Sequence, residues 1–245
     1  LAAASFGGRA LATNDDFFAS MHNLTKDEPA IFEAERFTER GKWMDGWESR
    51  RRREPGYDWC TLALGSPGHV RALDIDTAFF LGNHPPWAQV EGTFHPNDDL
   101  GEADWSEILP QSPLNAGSHN LFPVSGGPFT HIRLNIYPDG GVARLRVYGT
   151  VQPTWRPITD PEHAARVQGG EADLAALVHG GGVIAASDMF FGDATNLIKP
   201  GRAANMGQGW ESRRRRVPGN DWVILSLAQA GTLGLLELDT NHFKG

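Results

Sequence analysis

GWESRRRREPGYDW, residues 46–59, is written a second time as GWESRRRRVPGNDW at residues 209–222. The match runs without a gap, at an offset of 163 residues, to Gly82 in the first copy and Gly245 in the second, with 20 of 37 positions identical. Upstream, DDFF at 15–18 matches DMFF at 188–191 at an offset of 173, so the first copy carries ten extra residues between Leu24 and Gly41. A period this long exceeds the 20–50 residues of solenoid and propeller repeats, so each copy is expected to be a domain with its own core. The expected layout is a first repeat over 1–157, a linker with two short helices over 158–178, and a second repeat over 179–245. The first copy continues for some 70 residues past its last matched position, to Gly149, so the second is expected to stop in mid-domain.

Outside the doubled stretch, short runs of β-forming residues alternate with Gly, Pro and Asp, which predicts an all-β, jelly-roll-like sandwich. Residues 57–64 alternate toward a half-buried strand, and Gly65-Ser66-Pro67-Gly68 is expected to reverse the chain. A further strand is expected over 70–81, with Leu73, Ile75 and Phe79 on one face and Asp74, Asp76 and Phe80 on the other. Residues 83–99 and 104–120 are rich in Pro and polar residues and are expected to be loops. Residues 129–137 alternate again, and Pro138-Asp139-Gly140-Gly141 is expected to turn a hairpin into 142–148. Residues 1–14 have the composition of a loose leader, 15–24 of a short helical turn, and Val183-Ile184 of a strand.

The net charge of −8 argues against a nucleic-acid partner or an anionic membrane surface despite the two arginine runs. No stretch approaches the roughly 20 apolar residues of a membrane-spanning helix. The lone cysteine, Cys60, excludes an internal disulfide and faces Val223 in the second copy, so it is expected to be a small core residue in a reducing compartment. Trp47 and Trp59, with their counterparts Trp210 and Trp222, are likewise expected to pack in the cores. The sequence contains no nucleophile elbow, phosphate-binding loop or dinucleotide fingerprint.

The doubled GWESRRRR with PG-x-DW, DIDTAFF at 74–80, GNHP at 82–85 and IYPDGGVARLRVYG at 136–149 together resemble the allantoicase family. The resemblance covers nearly the whole chain. It implies tandem jelly-roll-like, galactose-binding-like sandwiches and hydrolysis of allantoate to ureidoglycolate and urea. It also implies a homo-oligomer in the cytoplasm, with the peroxisome as the alternative. Gln208 stands in the second copy where the first has Asp45.

Cleaving one C–N bond of allantoate calls for an acid for the departing nitrogen, a base for water and cations for the carboxylate. The expected acid–base residues are Glu48 or Asp45 with a loop histidine, His84 or His119. The expected substrate contacts are Arg50 and Arg52, their counterparts Arg213 and Arg215, and Asn83 and Asn120. A guanidinium grips a carboxylate through two parallel hydrogen bonds. The competing reading has the arginines bracing the fold through Glu48, Asp58, Glu211 and Asp221. Asp76 and Asp239 are read either as base or metal ligand, or as strand-end residues binding backbone N–H groups. The histidines show no metal-ligand spacing, which leaves a divalent metal with Asp or His ligands open. A non-catalytic ligand-binding sandwich and a purely structural duplicate are the alternatives to an enzyme.

Overall fold

The structure, a computed structural model, describes residues 1–153 and 172–244. Two compact units, Leu1–Gln152 and Pro153–Gly245, divide the chain. Among the described residues there are strands and short 3-10 turns but no α-helix, as an all-β reading requires. The two short helices expected within 158–178 lie largely outside the described residues. Of that segment's end, Leu177–His179 is a 3-10 turn.

The first unit runs β1 (Arg9–Thr13), β2 (Phe37–Thr38), β3 (Gly41–Lys42), β4 (Trp47–Glu48), β5 (Asp58–Asp76), β6 (Trp87–Thr93), β7 (Ser106–Pro113), β8 (His119–Tyr137), β9 (Gly141–Val142) and β10 (Arg144–Val151). The main sheet has the order β1-β5-β8-β6-β7, with β10 also paired to β5. All of its pairings are antiparallel. β5 and β8 are long strands that serve both layers of the sandwich. The first half of β5 lies between β1 and β8, and its second half between β10 and β8.

The expected reversal at residues 65–68 is therefore corrected. Ala63 faces His131 and Gly68 faces Phe129, so four residues of β5 oppose one of β8 and the strand bends without turning back. Such a bulged corner carries a strand from one sheet to the other. Gly65 is needed there because a Cβ would stand 2.0 Å from the carbonyl oxygen of Phe6. The expected hairpin at 138–141 is also absent, because β8 and β10 pair with opposite sides of β5 instead of with each other. β6 and β7 occupy stretches expected to be loops, and the expected leader contains β1, with Ala2 and Ala10 buried. The strand expected over 70–81 ends at Asp76. Phe80 N–H then closes a turn on the Thr77 carbonyl, leaving Phe79 exposed and Phe80 buried.

Alternation along the bent strands builds the core. Cys60, Leu62, Val70, Leu73 and Ile75 of β5 meet Ile132, Leu134 and Ile136 of β8 and Leu145 of β10, all fully buried. Each such aliphatic side chain contributes about 1.5–3 kcal/mol by leaving water. Trp47 joins this core as expected. Trp59 does not: it is half-buried and faces away from the neighbouring core residue Cys60. Burial pushes the Cys60 thiol far above its ordinary range, which makes it inert.

In the second unit β11 (Gly182–Ala186) pairs with β12 (Val223–Ser226), as the Val183-Ile184 strand requires. Leu233, Leu236 and Leu238 are exposed there, whereas their counterparts Val70, Leu73 and Ile75 are sealed beneath β8 and β10.

Candidate active site

The doubled motif is doubled in its hydrogen bonds. Trp47 Nε1 donates to the Asp15 carbonyl at 2.8 Å, and Trp210 Nε1 to that of Asp188 at 2.8 Å. The backbone N–H of Arg50 binds the Asp15 carboxylate, and that of Arg213 binds Asp188. Arg50 also pairs with Asp15 at 2.6 Å and lies over the Phe17 ring, as Arg213 lies over Phe190. Burial alone would raise the Asp15 pKa, but hydrogen bonds from the Phe17 and Arg50 backbones and from the Arg50 side chain hold it below the ordinary carboxylate range. Arg52 pairs with Asp58 at 2.7 Å, and Arg215 with Asp221 at 2.7 Å. Ala78 N–H binds Asp76, as Asn241 N–H binds Asp239, so both aspartates serve as strand-end acceptors.

Arg50 and Arg52 are not on a strand, since β4 stops at Glu48. Their pairing with Asp15 and Asp58 follows the bracing arrangement. The same arrangement explains the repeated Pro-Gly. Gly56 has φ 145°, and a Cβ on it would stand 2.7 Å from Arg52 Nη2. Gly56→Ala is expected to destabilise the first unit by about 1–3 kcal/mol, read as a lower urea midpoint with unchanged m.

Asp45 is buried at the end of an ion network. Its carboxylate meets Arg144 Nη2 at 2.7 Å and Lys26 Nζ at 2.8 Å, and it accepts the Ile31 N–H. Burial works to raise its pKa, but the hydrogen bonds from Arg144 and Lys26 outweigh this and hold it low. A carboxylate so fully engaged is a poor proton acceptor.

Glu48 has a different setting. β4 pairs with β9, setting Glu48 opposite Gly141, and Asn83 Nδ2 donates to Glu48 Oε1 at 2.7 Å. Asn83 is itself fixed, because Gly141 N–H donates to its carbonyl at 2.8 Å. Burial pushes the Glu48 pKa up, with the Asn83 hydrogen bond only partly offsetting it. Next along the chain, His84 keeps a buried Nδ1 that lacks a hydrogen-bond partner. Glu48 and Asn83 thus come together next to the first arginine run, with His84 following Asn83 in the chain.

His119 sits on the other flank of the loop over residues 77–83. It opens β8 opposite Asp76, and its Nδ1 meets Asp74 Oδ2 at 2.8 Å. Asn120 is occupied structurally: its Nδ2 donates to the carbonyls of Ile75 and Ser118, and its Oδ1 accepts the Asn115 N–H. Among the described residues no three His, Cys, Asp or Glu side chains converge as metal ligands.

The model of the allantoicase repeat matches residues 1–152 and 172–245. The chain belongs to the allantoicase family. A probable allantoicase of Acinetobacter baumannii strain SDF is 50% identical over 246 residues, covering all of this chain and 70% of that protein. Probable allantoicase 1 of Burkholderia mallei is 47% identical over 247 residues, covering 71% of that protein. The crystal structure of allantoicase from Saccharomyces cerevisiae superposes with a TM-score of 0.72 at 34% identity, over 93% of this chain and 67% of that one. Sequence reasoning missed two residues that contact the candidate ones, Arg144 and Asp74. Arg144 lies inside the IYPDGGVARLRVYG motif, and an arginine among strand-forming apolar residues was the available signal for a buried partner.

Proposed function

We propose that this chain hydrolyses allantoate, releasing urea and ureidoglycolate, with Glu48 and His119 as its proton-transfer residues. Family membership over both repeats carries the reaction. The Glu48–Asn83 pair beside the arginine run carries the assignment of the base. Water loses a proton to Glu48 and its oxygen bonds to the central carbon. The C–N bond breaks with its electron pair going to nitrogen, and His119 supplies the proton that completes urea. A carboxylate with a raised pKa is the stronger base, and a histidine with a raised pKa keeps its proton to higher pH than a free imidazole. The Asn83 side chain orients Glu48, and His84 is the reserve proton carrier on the same loop. The first arginine run supplies the cationic field for the substrate carboxylate, with Arg50 and Arg52 held in place by Asp15 and Asp58. Arg213 and Arg215 hold the equivalent place in the second unit.

The substrate is a small molecule, and no helix among the described residues is long and apolar enough to cross a membrane. The unpaired, buried Cys60 favours the cytoplasm. The test is urea release from allantoate by the purified chain, with and without chelator. Turnover without chelator is the expected result, and its loss with chelator would show that a divalent metal takes part. An allantoate-dependent rise in Tm with no urea released would instead favour a binding module.

A further inference from the structure

The contact that the proposed reaction does not yet use is the one behind His119. Its imidazole is largely solvent-exposed, with 68% of the side chain accessible, whereas Asp74 is only 6% accessible. One Asp74 oxygen meets His119 Nδ1 at 2.8 Å; the other, Oδ1, is buried and lacks any hydrogen-bond partner. Asp74 stands on β5 between Leu121 of β8 and Arg146 of β10. Asp76, two residues on and on the same face, lies opposite His119 itself. Arg146 makes no hydrogen bond with either carboxylate: its guanidinium donates to the backbone carbonyls of Lys26, Asp27 and Glu28, and only its charge acts on Asp74. Arg144, the register partner of Asp76, is likewise directed to Asp45. Asp74 is therefore left with one hydrogen-bonding partner, the histidine.

We infer that Asp74 is a positioning residue for the hydrolysis: it holds Nδ1–H of His119, fixes the ring, and leaves Nε2 as the proton-carrying atom that faces solvent and substrate. This inference rests on the reading of His119 as the proton donor. A carboxylate on one ring nitrogen sets which nitrogen does chemistry and favours the protonated ring. The electrostatics agree with the geometry. The Asp74 hydrogen bond, then its charge and that of Asp76, raise the His119 pKa, while burial and Arg146 work against them. Asp74 is itself raised, because burial costs this carboxylate more than His119 returns, whereas the exposed histidine loses little to desolvation. No proton is transferred to Asp74. The proton given to the departing nitrogen comes from Nε2, and solvent restores it.

The experiment compares urea release across pH for the unaltered chain, Asp74→Asn, Asp74→Glu and His119→Ala, with 15N-imidazole NMR on His119. As general acid, His119 loses activity as pH rises through its pKa. Removing the Asp74 charge lowers that pKa, so the alkaline limb should move to lower pH by about one unit. The rate constant kcat should fall about 10–100-fold with KM within a factor of two, and Asp74→Glu should recover part of the loss. The NMR titration of His119 should shift by the same amount, which reads the contact even where Asp74→Asn is too weakly folded for kinetics. An unmoved alkaline limb or an unmoved His119 titration in Asp74→Asn, with His119→Ala inactive, overturns the positioning role and leaves the proton-donor reading intact. Full activity in His119→Ala overturns both, and passes the donor role to His84.

Discussion

Replacing Glu48 by glutamine is expected to lower kcat for urea release about 10²–10⁴-fold, the range set by losing one general base. The substitution keeps the volume of the side chain and an oxygen that can accept the 2.7 Å hydrogen bond from Asn83. It removes only the capacity to take a proton from water. KM should change little, since Glu48 is not assigned to the substrate carboxylate. Asp45→Asn, by contrast, should act through stability, because that carboxylate is engaged by Arg144, Lys26 and the Ile31 N–H. A Glu48→Gln variant with unaltered kcat would remove Glu48 from the chemistry.

The second large effect is on folding. Arg144 is 1% accessible and donates to the Asp45 carboxylate as well as to the carbonyls of Asp45, Ala143, Glu28 and Pro29. Arg144→Leu leaves the buried Asp45 carboxylate with only Lys26 and the Ile31 N–H and takes the donor from four carbonyls, a loss of about 3–5 kcal/mol. For a unit of this size that lowers Tm by roughly 6–20 °C, measured by differential scanning calorimetry. Removing Asp45 as well should recover part of the loss. The pH dependence has a definite sign. The Asp45 pKa is depressed in the fold, so its contribution is present above the unfolded carboxylate value, near 4, and is lost as pH falls through the folded value. Arg144→Leu should flatten that acid limb, and an unchanged acid limb would show that the pair does not contribute.

Much of this was legible from residues alone. The duplication announced itself in the arginine motif, and the alternation along β8 from Phe129 to Tyr137 gave its inward face. The bend of β5 was not legible, because Gly65 and Pro67 suit a corner between sheets as well as a reversal. β7 was hidden by Pro110 and Pro113, which an edge strand tolerates and a central one does not. Glu48, Asn83 and His84 were readable as candidates because each stands in a local motif. Asp74 and Arg144 were missed as partners because His119 and Asp45 lie far from them in sequence and meet them only through strand pairing. The direction of Arg50 and Arg52 was not legible either, because β4 ends before them and it is set by Asp15 and Asp58 instead of by strand alternation.

The shared course of β5 and β8 through both layers has a kinetic consequence. Neither layer can be completed alone, since each takes strand segments from both β5 and β8, joined across dozens of intervening residues. Contacts of such long sequence separation place folding toward the millisecond-to-second end of the range for single domains. They also leave no half-sandwich that could persist as a stable intermediate. On this ground the first unit assembles and opens as a single cooperative body, and the loop joining Asp76 to Asn83 inherits two anchors that are lost only together.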